Sequence, residues 1–489
     1  MKKISETISK FTFSNTQIIT YKTHLVFCSH IFLFFFLPIC LLFYYLTPAK
    51  FRNVTLLLFS LLFYFSGETT YIWLIFASIL FNYVWAILLH QLNKNRYVLL
   101  FGVAINLLAL VYYKYSGFFL EFLQIDSKGF IAKVLPLGIS FYTFHSISYL
   151  VDIYRGKAKP QYNLAVMGLY IVNFSQLVAG PIIRYHDVEN QLIKRIYVWN
   201  RFRNGIKIFI YGLAKKMIVA NTVGVFADAT FNNSYGQYNS LYAWLGILCY
   251  TLQIYFDFSG YSDMAIGIGR MFGFEFKQNF NLPYASKSIK TFWQKWHISL
   301  SSWFKDYLYI PLGGNKHGNF RTALNLLIVF ILCGLWHGAN YTFLVWGLFH
   351  GLFLVLERVF GNSIKFKIPA IVSHGYVWLV VMMSWVFFRA ETLTEALAYF
   401  KTMFSFNLNI ETAPDLKSFI NPYFIFILFI GILSSIGAFK ILSNSILKQK
   451  IVSVNTYRLF EVGTLIILFY WCVLEIINSN FNPFIYYRF

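Results

Sequence analysis

Two histidines stand in polar-aromatic motifs inside sequence that otherwise belongs in lipid. His337 lies in Cys333-Gly-Leu-Trp336-His337-Gly-Ala-Asn340, within a run from Leu324 to Leu356 that is almost wholly apolar, and His297 lies in Phe292-Trp-Gln-Lys-Trp296-His297-Ile-Ser-Leu-Ser-Ser-Trp303. A neutral imidazole can take a proton from a hydroxyl and return it to a leaving group, which is the work of a general base in acyl transfer. A titratable ring at membrane depth is costly unless it is paired or put to use. His337 is therefore the first candidate base. Three residues on, Asn340 would share its helix face, where its amide could orient the ring or donate to a developing oxyanion. The alternative is a core histidine bonded to a backbone carbonyl. His297 has Trp293 at i−4 and Ser301 at i+4, so a continuous helix would stack the three on one face; a capping or loop histidine at the interface is the competing reading.

Other polar groups in apolar surroundings are fewer. Asp257-Phe-Ser-Gly-Tyr-Ser-Asp263 carries two carboxylates that could order a cavity or hold a histidine tautomer, or else bond to backbone at a helix break near Gly260. Lys215 and Lys216 interrupt the run 205–227; contact with a phosphate-bearing donor and snorkelling to the interface are both open, and snorkelling is the simpler. Gly313-Gly-Asn315 after Pro311 is a turn, since no strand or GK[ST] continuation makes it a phosphate loop. His90, His145 and His350 lack a comparable polar setting and receive no role. Five single cysteines sit in apolar segments without metal-ligand spacing, so neither a disulfide nor a metal site is expected.

These residues need a scaffold in lipid. The 489-residue chain is 58% hydrophobic and 12% charged, with a mean hydropathy of +0.58, outside the range of soluble domains. About a dozen apolar stretches, the first at 26–46 and the last at 459–478, approach bilayer-crossing length, and several are short enough to be re-entrant. The expected fold is an all-α polytopic integral membrane protein with about 10–12 membrane helices. The formal charge of +22 falls in short loops, which the positive-inside rule explains without nucleic acid. By that rule the loops around Lys316 and Arg321, Arg358, and Lys440 and Arg458 face the cytoplasm, the loop with Glu391 and Glu395 faces outward, and the C-terminus emerges outside. No internal repeat is evident, which argues against an inverted-repeat transporter. Residues 1–24 read as a polar tail, with 25–489 as one membrane domain. Segment 275–322 is too polar for lipid and too rich in Trp, Tyr, Gly and Pro for a disordered loop. Irregular backbone at membrane depth must be enclosed by protein or line a cavity, so this segment is expected to be re-entrant.

The motifs closely resemble those of the membrane-bound O-acyltransferase (MBOAT) family, in the bacterial branch of alginate and peptidoglycan O-acetyltransferases and teichoic-acid D-alanyl transferases. Besides the two histidine motifs, the resemblance rests on Asp306-Tyr-Leu-Tyr-Ile-Pro-Leu-Gly-Gly314, Pro136-Leu-Gly-Ile-Ser-Phe-Tyr-Thr-Phe144, Leu177-Val-Ala-Gly-Pro-Ile-Ile-Arg184, Asp257-Phe-Ser-Gly-Tyr-Ser-Asp-Met-Ala265 and Phe387-Phe-Arg-Ala390. It runs from about residue 25 to the end and implies a ring of helices around a thin centre pierced by a tunnel. It also implies that His337 is the catalytic histidine and His297 the second polar position, with Trp296, Trp336, Asn340, Ser301, Asp257 and Asp263 as supporting or tunnel residues. The ending Phe484-Ile-Tyr486-Tyr-Arg-Phe489 is similar to the Phe-x-Tyr-x-x-Phe endings of these systems, where the tyrosine is implicated as an acyl relay. An aryl ester would stay activated toward a second hydroxyl, and an interfacial aromatic anchor is the alternative.

In function, the resemblance implies an enzyme of the bacterial cytoplasmic (inner) membrane. It would take acetyl groups from cytoplasmic acetyl-CoA, with no bound cofactor, and pass them outward so that a periplasmic SGNH-like O-acetyltransferase or similar partner esterifies a cell-envelope polysaccharide such as peptidoglycan or alginate. The alternatives are D-alanyl transfer from a carrier protein to teichoic acid, and a non-enzymatic flippase or transporter of lipid-linked sugars whose histidines relay protons.

Overall fold

The computed structural model describes residues 25–125, 135–177, 180–232, 238–361, 368–408, 414–448, 453–478 and 484–485, and among these no β-strand occurs. Seven helices among the described residues are long and apolar enough to cross a membrane: Ile72–Gln91, Arg96–Phe122, Trp199–Asn232, Gly318–His337, Tyr341–Phe360, Ala370–Arg389 and Asn455–Asn478. The pair Pro422–Ser435 and Ala438–Ser445, bent by 67°, makes an eighth if it counts as one span. This is fewer than the dozen apolar stretches in the sequence, for physical reasons. Phe32–Leu46 and Leu164–Leu177 are shorter apolar helices, the latter broken where Asn173 leaves helical geometry. The stretch 239–256 belongs to the 32-residue helix Ser240–Met271, which is buried along nearly its whole length. Its apolar residues face protein, so they report interior packing.

That buried helix is the axis of the domain. Asn239 caps its start by accepting from Tyr242 N–H, and the Trp199–Ala214 helix crosses it at very short range. A Cβ on Gly212 would sit 2.5 Å from the Gly260 carbonyl oxygen, and one on Gly260 would sit 2.6 Å from that of Gly212. Only glycine permits this approach. The crossing brings the π-helical segment Lys215–Ala220 against Asp257 and its neighbours.

The segment between residues 275 and 318 is broken into pieces too short to span a bilayer: a single 3-10 turn at Pro283–Ala285, the seven-residue helices Ile289–Lys295 and Ile298–Phe304, and a π-helical turn at Lys305–Tyr309. Phe292, Trp293, Trp296, His297, Leu300 and Trp303 along it are buried. Protein encloses the stretch around these residues, the condition irregular backbone needs if it lies at membrane depth, whereas Lys305, Ile310, Pro311 and residues 315–318 are exposed.

Candidate active site

The helix carrying His337 is fixed from both ends of its last turn. It packs so closely on Tyr341–Gly361 that a Cβ on Gly334 would meet the Phe343 carbonyl oxygen at 2.2 Å and one on Gly347 the Phe330 oxygen at 2.2 Å. Gly338 adopts extended geometry, with φ −163° and ψ 146°, so His337 is the final helical residue. The terminal carbonyls of a helix lack intrahelical donors, and here side chains supply them: Tyr115 Oη donates to Leu335 O (2.8 Å) and Lys114 Nζ donates to Trp336 O (2.5 Å). The His337 ring, 1% exposed, is enclosed by Trp336, Trp346 and Phe388 with ring centroids 5.0, 5.1 and 5.3 Å away.

Asn340 does not share this face. Because the helix stops at Gly338, its side chain instead donates to Glu391 O (2.8 Å) and accepts from Thr342 N–H (3.1 Å), capping the start of the next helix. The expected partnership with His337 is thus replaced by a loop-holding role.

His297 sits at a break. Ser288 and Thr291 form a capping box at the start of Ile289–Lys295, and the Glu357 carboxylate accepts from the N–H groups of Ile289 and Lys290, favourably placed for the positive end of the helix. The helix ends at Trp296, and His297 takes a left-handed conformation (φ 43°) before Ile298–Phe304 begins. The expected stacking of Trp293, His297 and Ser301 is therefore absent: the left-handed residue redirects the chain. Trp293 instead donates Nε1–H to His350 Nδ1 (3.3 Å), and Ser301 faces a cavity.

The helix break aims His297 at Asn279, whose Oδ1 lies 3.2 Å from Nδ1. The same Oδ1 accepts the main-chain N–H of Ser299 (3.1 Å) and its hydroxyl (2.9 Å). Since a main-chain N–H can only donate, the amide orientation is set, and Nδ1 of His297 is placed to donate to Oδ1, with the Ser299 hydroxyl 3.4 Å from the same nitrogen. Nε2 is wholly buried and without a hydrogen-bond partner among the described residues, and donation from Nδ1 leaves it the lone pair. Trp336 joins the two histidines: its ring lies 6.2 Å from His297 and 5.0 Å from His337. Trp336 Nε1–H is likewise buried without a partner among the described residues. Trp296 stands further off, packed on Phe292 and Trp385 (5.5 and 5.1 Å).

The two carboxylates separate. Asp263 pairs with Lys215 at 2.6 Å in a partly exposed site. Asp257, 1% exposed, pairs with Lys216, 2% exposed, so Lys216 does not snorkel. Carrying one charge into the interior requires the other. The second Asp257 oxygen accepts the main-chain N–H of Ile485 (2.8 Å). The adjacent Phe484 is buried, stacked on Tyr261 (4.5 Å) and near Phe258 (5.8 Å), whose ring edge meets His297 at 4.6 Å. Residues 484–485 thus turn back into the domain close to His297. Tyr486 and the rest of the C-terminal motif lie outside the described residues, as does the polar tail 1–24.

A cavity of about 350 Å³ runs between the broken segment and the His337 helix, lined by Trp293, Ser301, Ser302, Val329 and Cys333, with Lys290 and Lys305 among its walls. Cys333 is one turn before His337. Outside the cavity lining, Arg184 bridges Asp187 (3.0 Å) and Asp306 (2.5 Å), and buried Asp152 accepts from Tyr307 Oη (2.8 Å) and contacts His186 Nδ1 (2.6 Å). This network ties the 180–187 loop to the π turn after Trp303. Among the described residues no group of three or more His, Cys, Asp or Glu is arranged to hold a metal ion.

Asn279, Lys114 and Tyr115 were not singled out by the sequence. Asn279 lies in the polar segment that drew attention for other reasons, and Lys114 is an ionisable residue at the end of an apolar run, a signal that could have been read.

The described residues form a helical, multi-pass membrane protein with two buried histidines packed on one indole. The profile of the MBOAT, membrane-bound O-acyltransferase, family matches residues 154–394. The chain is 42% identical over 397 residues to a probable alginate O-acetylase of Pseudomonas aeruginosa, covering 78% of this chain and 75% of that one. It is 36% identical over 424 residues to the peptidoglycan O-acetyltransferase of Helicobacter pylori, with 78% and 80% covered. A teichoic acid D-alanyltransferase of Bacillus subtilis is 30% identical over 240 residues, 46% of this chain and 59% of that one. The chain belongs to the membrane-bound O-acyltransferase family and is an O-acyltransferase, which sets aside the flippase reading.

Proposed function

We propose that this enzyme transfers acetyl groups from cytoplasmic acetyl-CoA through the bacterial inner membrane, for O-acetylation of a cell-envelope polysaccharide by a periplasmic partner transferase. One observation carries the chemistry: His297 and His337 flank a single buried indole, and His297 Nε2 is buried without a partner among the described residues. His337 accepts the proton of the attacking hydroxyl, whose oxygen forms the new ester bond at the thioester carbonyl. As the C–S bond breaks, the departing thiolate takes that proton back from the imidazolium. His297 assists this transfer, and the Trp336 N–H offers a donor to the carbonyl oxygen. The cavity between Lys290 and Lys305 and Cys333 seats the donor's arm, and its largely apolar walls disfavour hydrolytic water at the thioester.

The attacking hydroxyl is assigned to Tyr486, the residue that comes after the anchored Ile485. Its ester then passes the acetyl group to the partner. The two acetylases cover three quarters or more of their own length, against 59% for the D-alanyltransferase, which favours acetyl over D-alanyl transfer. The test is to mix purified protein with labelled acetyl-CoA: CoA is released and label appears on Tyr486. Label arising only from a D-alanyl carrier protein, with acetyl-CoA untouched, overturns the reading.

A further inference from the structure

Lys114 closes an otherwise apolar run, at the end of the five-residue π-helical segment Val111–Tyr115 within the span Arg96–Phe122. Single π turns inside helices are frequent at functional sites, and this one, of four among the described residues, directs two consecutive side chains at one target. Lys114 Nζ reaches Trp336 O, and Tyr115 Oη reaches Leu335 O, in the last turn before His337. With Gly338 N–H bonded to Gly334 O (3.2 Å), donors are supplied to three successive carbonyls from 334 to 336. Lys114 Nζ also donates to Ser140 Oγ (3.1 Å), so it ties the Ile139–Tyr154 helix to the same turn. That helix contributes Phe141 and Phe144, which pack on the Trp336 ring at 5.5 and 5.3 Å. Among the described residues both partners of Nζ are neutral acceptors, a carbonyl and a hydroxyl. An ionisable side chain spent at membrane depth on such a carbonyl has a purpose beyond ion pairing.

We propose that Lys114 is a positioning residue for acyl transfer: by bonding the Trp336 carbonyl and Ser140 together, it fixes the rotation of the turn that presents His337 and the Trp336 indole to the substrate. It is not among the residues that line the cavity assigned to the donor. The proposal rests on His337 being the base, and the experiment separates the two.

The experiment measures CoA release from acetyl-CoA by purified full-length protein, as maximal rate and half-saturating concentration. Lys114→Met keeps the length and apolar stem but removes the donor. It is expected to lower the maximal rate by about 30- to 100-fold, the scale of an ångström-level misplacement, with the half-saturating concentration changed by less than about twofold because the donor cavity is intact. Lys114→Arg, which retains donors, recovers at least about a third of the loss on a logarithmic scale. Tyr115→Phe removes one hydroxyl from the same cap, lowers the maximal rate by about three- to tenfold, and serves as the readout if Lys114→Met does not accumulate. Parental rates in Lys114→Met, or in Tyr115→Phe where that variant is the readout, overturn the proposal, as does a loss confined to half-saturation. His337→Ala is run in parallel: if it is inactive while Lys114→Met is normal, only the positioning role falls. If His337→Ala is active, the assignment of the base falls first.

Discussion

The docking of the chain's end on Asp257 yields a prediction with a magnitude. Replacing Asp257 alone would strand Lys216, which is 2% exposed, and an unpaired buried charge of this kind costs about 3–5 kcal/mol of stability. The informative comparison removes both charges. Asp257→Asn with Lys216→Met keeps a carbonyl oxygen for the Ile485 N–H, whereas Asp257→Leu with Lys216→Met removes every acceptor there. Exchange of a buried ion pair for apolar groups is often near neutral for the fold, so the two doubles differ mainly at residue 485. Burial of Phe484 favours docking by about 1.5–3 kcal/mol in both. Loss of a hydrogen bond to a charged acceptor removes about 1.5–3 kcal/mol from the Leu variant, a shift of roughly 10- to 100-fold toward the undocked state. Ile485→Cys reports it through the rate of maleimide labelling, against low background because Cys28, Cys40, Cys249, Cys333 and Cys472 are all buried. Labelling should be slow in the parent, somewhat faster in the Asn double and at least tenfold faster in the Leu double. Equal rates in all three would show that Asp257 does not hold the chain's end.

Asn279→Ala removes the acceptor that fixes the His297 tautomer and should lower acetyl-CoA turnover about tenfold, from the loss of about 1–2 kcal/mol of orientation, with Asn279→Asp retaining more activity than Ala. Asn340→Ala deletes a helix cap and should cost about 1 kcal/mol of stability, read as a lower melting temperature in detergent, with turnover within about twofold of the parent; a collapse of turnover in stably folded protein would restore Asn340 to the catalytic group. Gly334→Ala places a methyl 2.2 Å from the Phe343 carbonyl oxygen and should destabilise by about 1–3 kcal/mol, so that both melting temperature and turnover fall.

The helical membrane class and the two histidines were legible because composition and motif are local properties of the chain. Extrapolation of helix periodicity failed wherever it crossed a break. Asn340 lies three residues beyond His337, and the expected shared face required the helix to continue past Gly338, which is extended. Trp293 and Ser301 were assigned to the His297 face by the same rule, and the left-handed conformation at His297 separates them. Lys216 read as a snorkelling residue because its partner Asp257 is distant in sequence, and only the Gly212–Gly260 crossing brings the two together. Asn279 and Lys114 act through contacts set by tertiary packing, to which spacing is blind. The count of spans suffered from a related ambiguity: an apolar run such as 239–256 has the same composition whether lipid or protein covers it.

The central claim is that His337 is the base for acetyl transfer, and its most direct measurement is the O-acetyl content of envelope polysaccharide in cells whose only copy of the enzyme is His337→Ala, quantified by mass spectrometry with protein level matched to the parent. The account predicts acetylation at the level of a deletion strain, in line with the roughly 10²- to 10⁴-fold contribution of a positioned general base. Parental acetylation in that strain would contradict it.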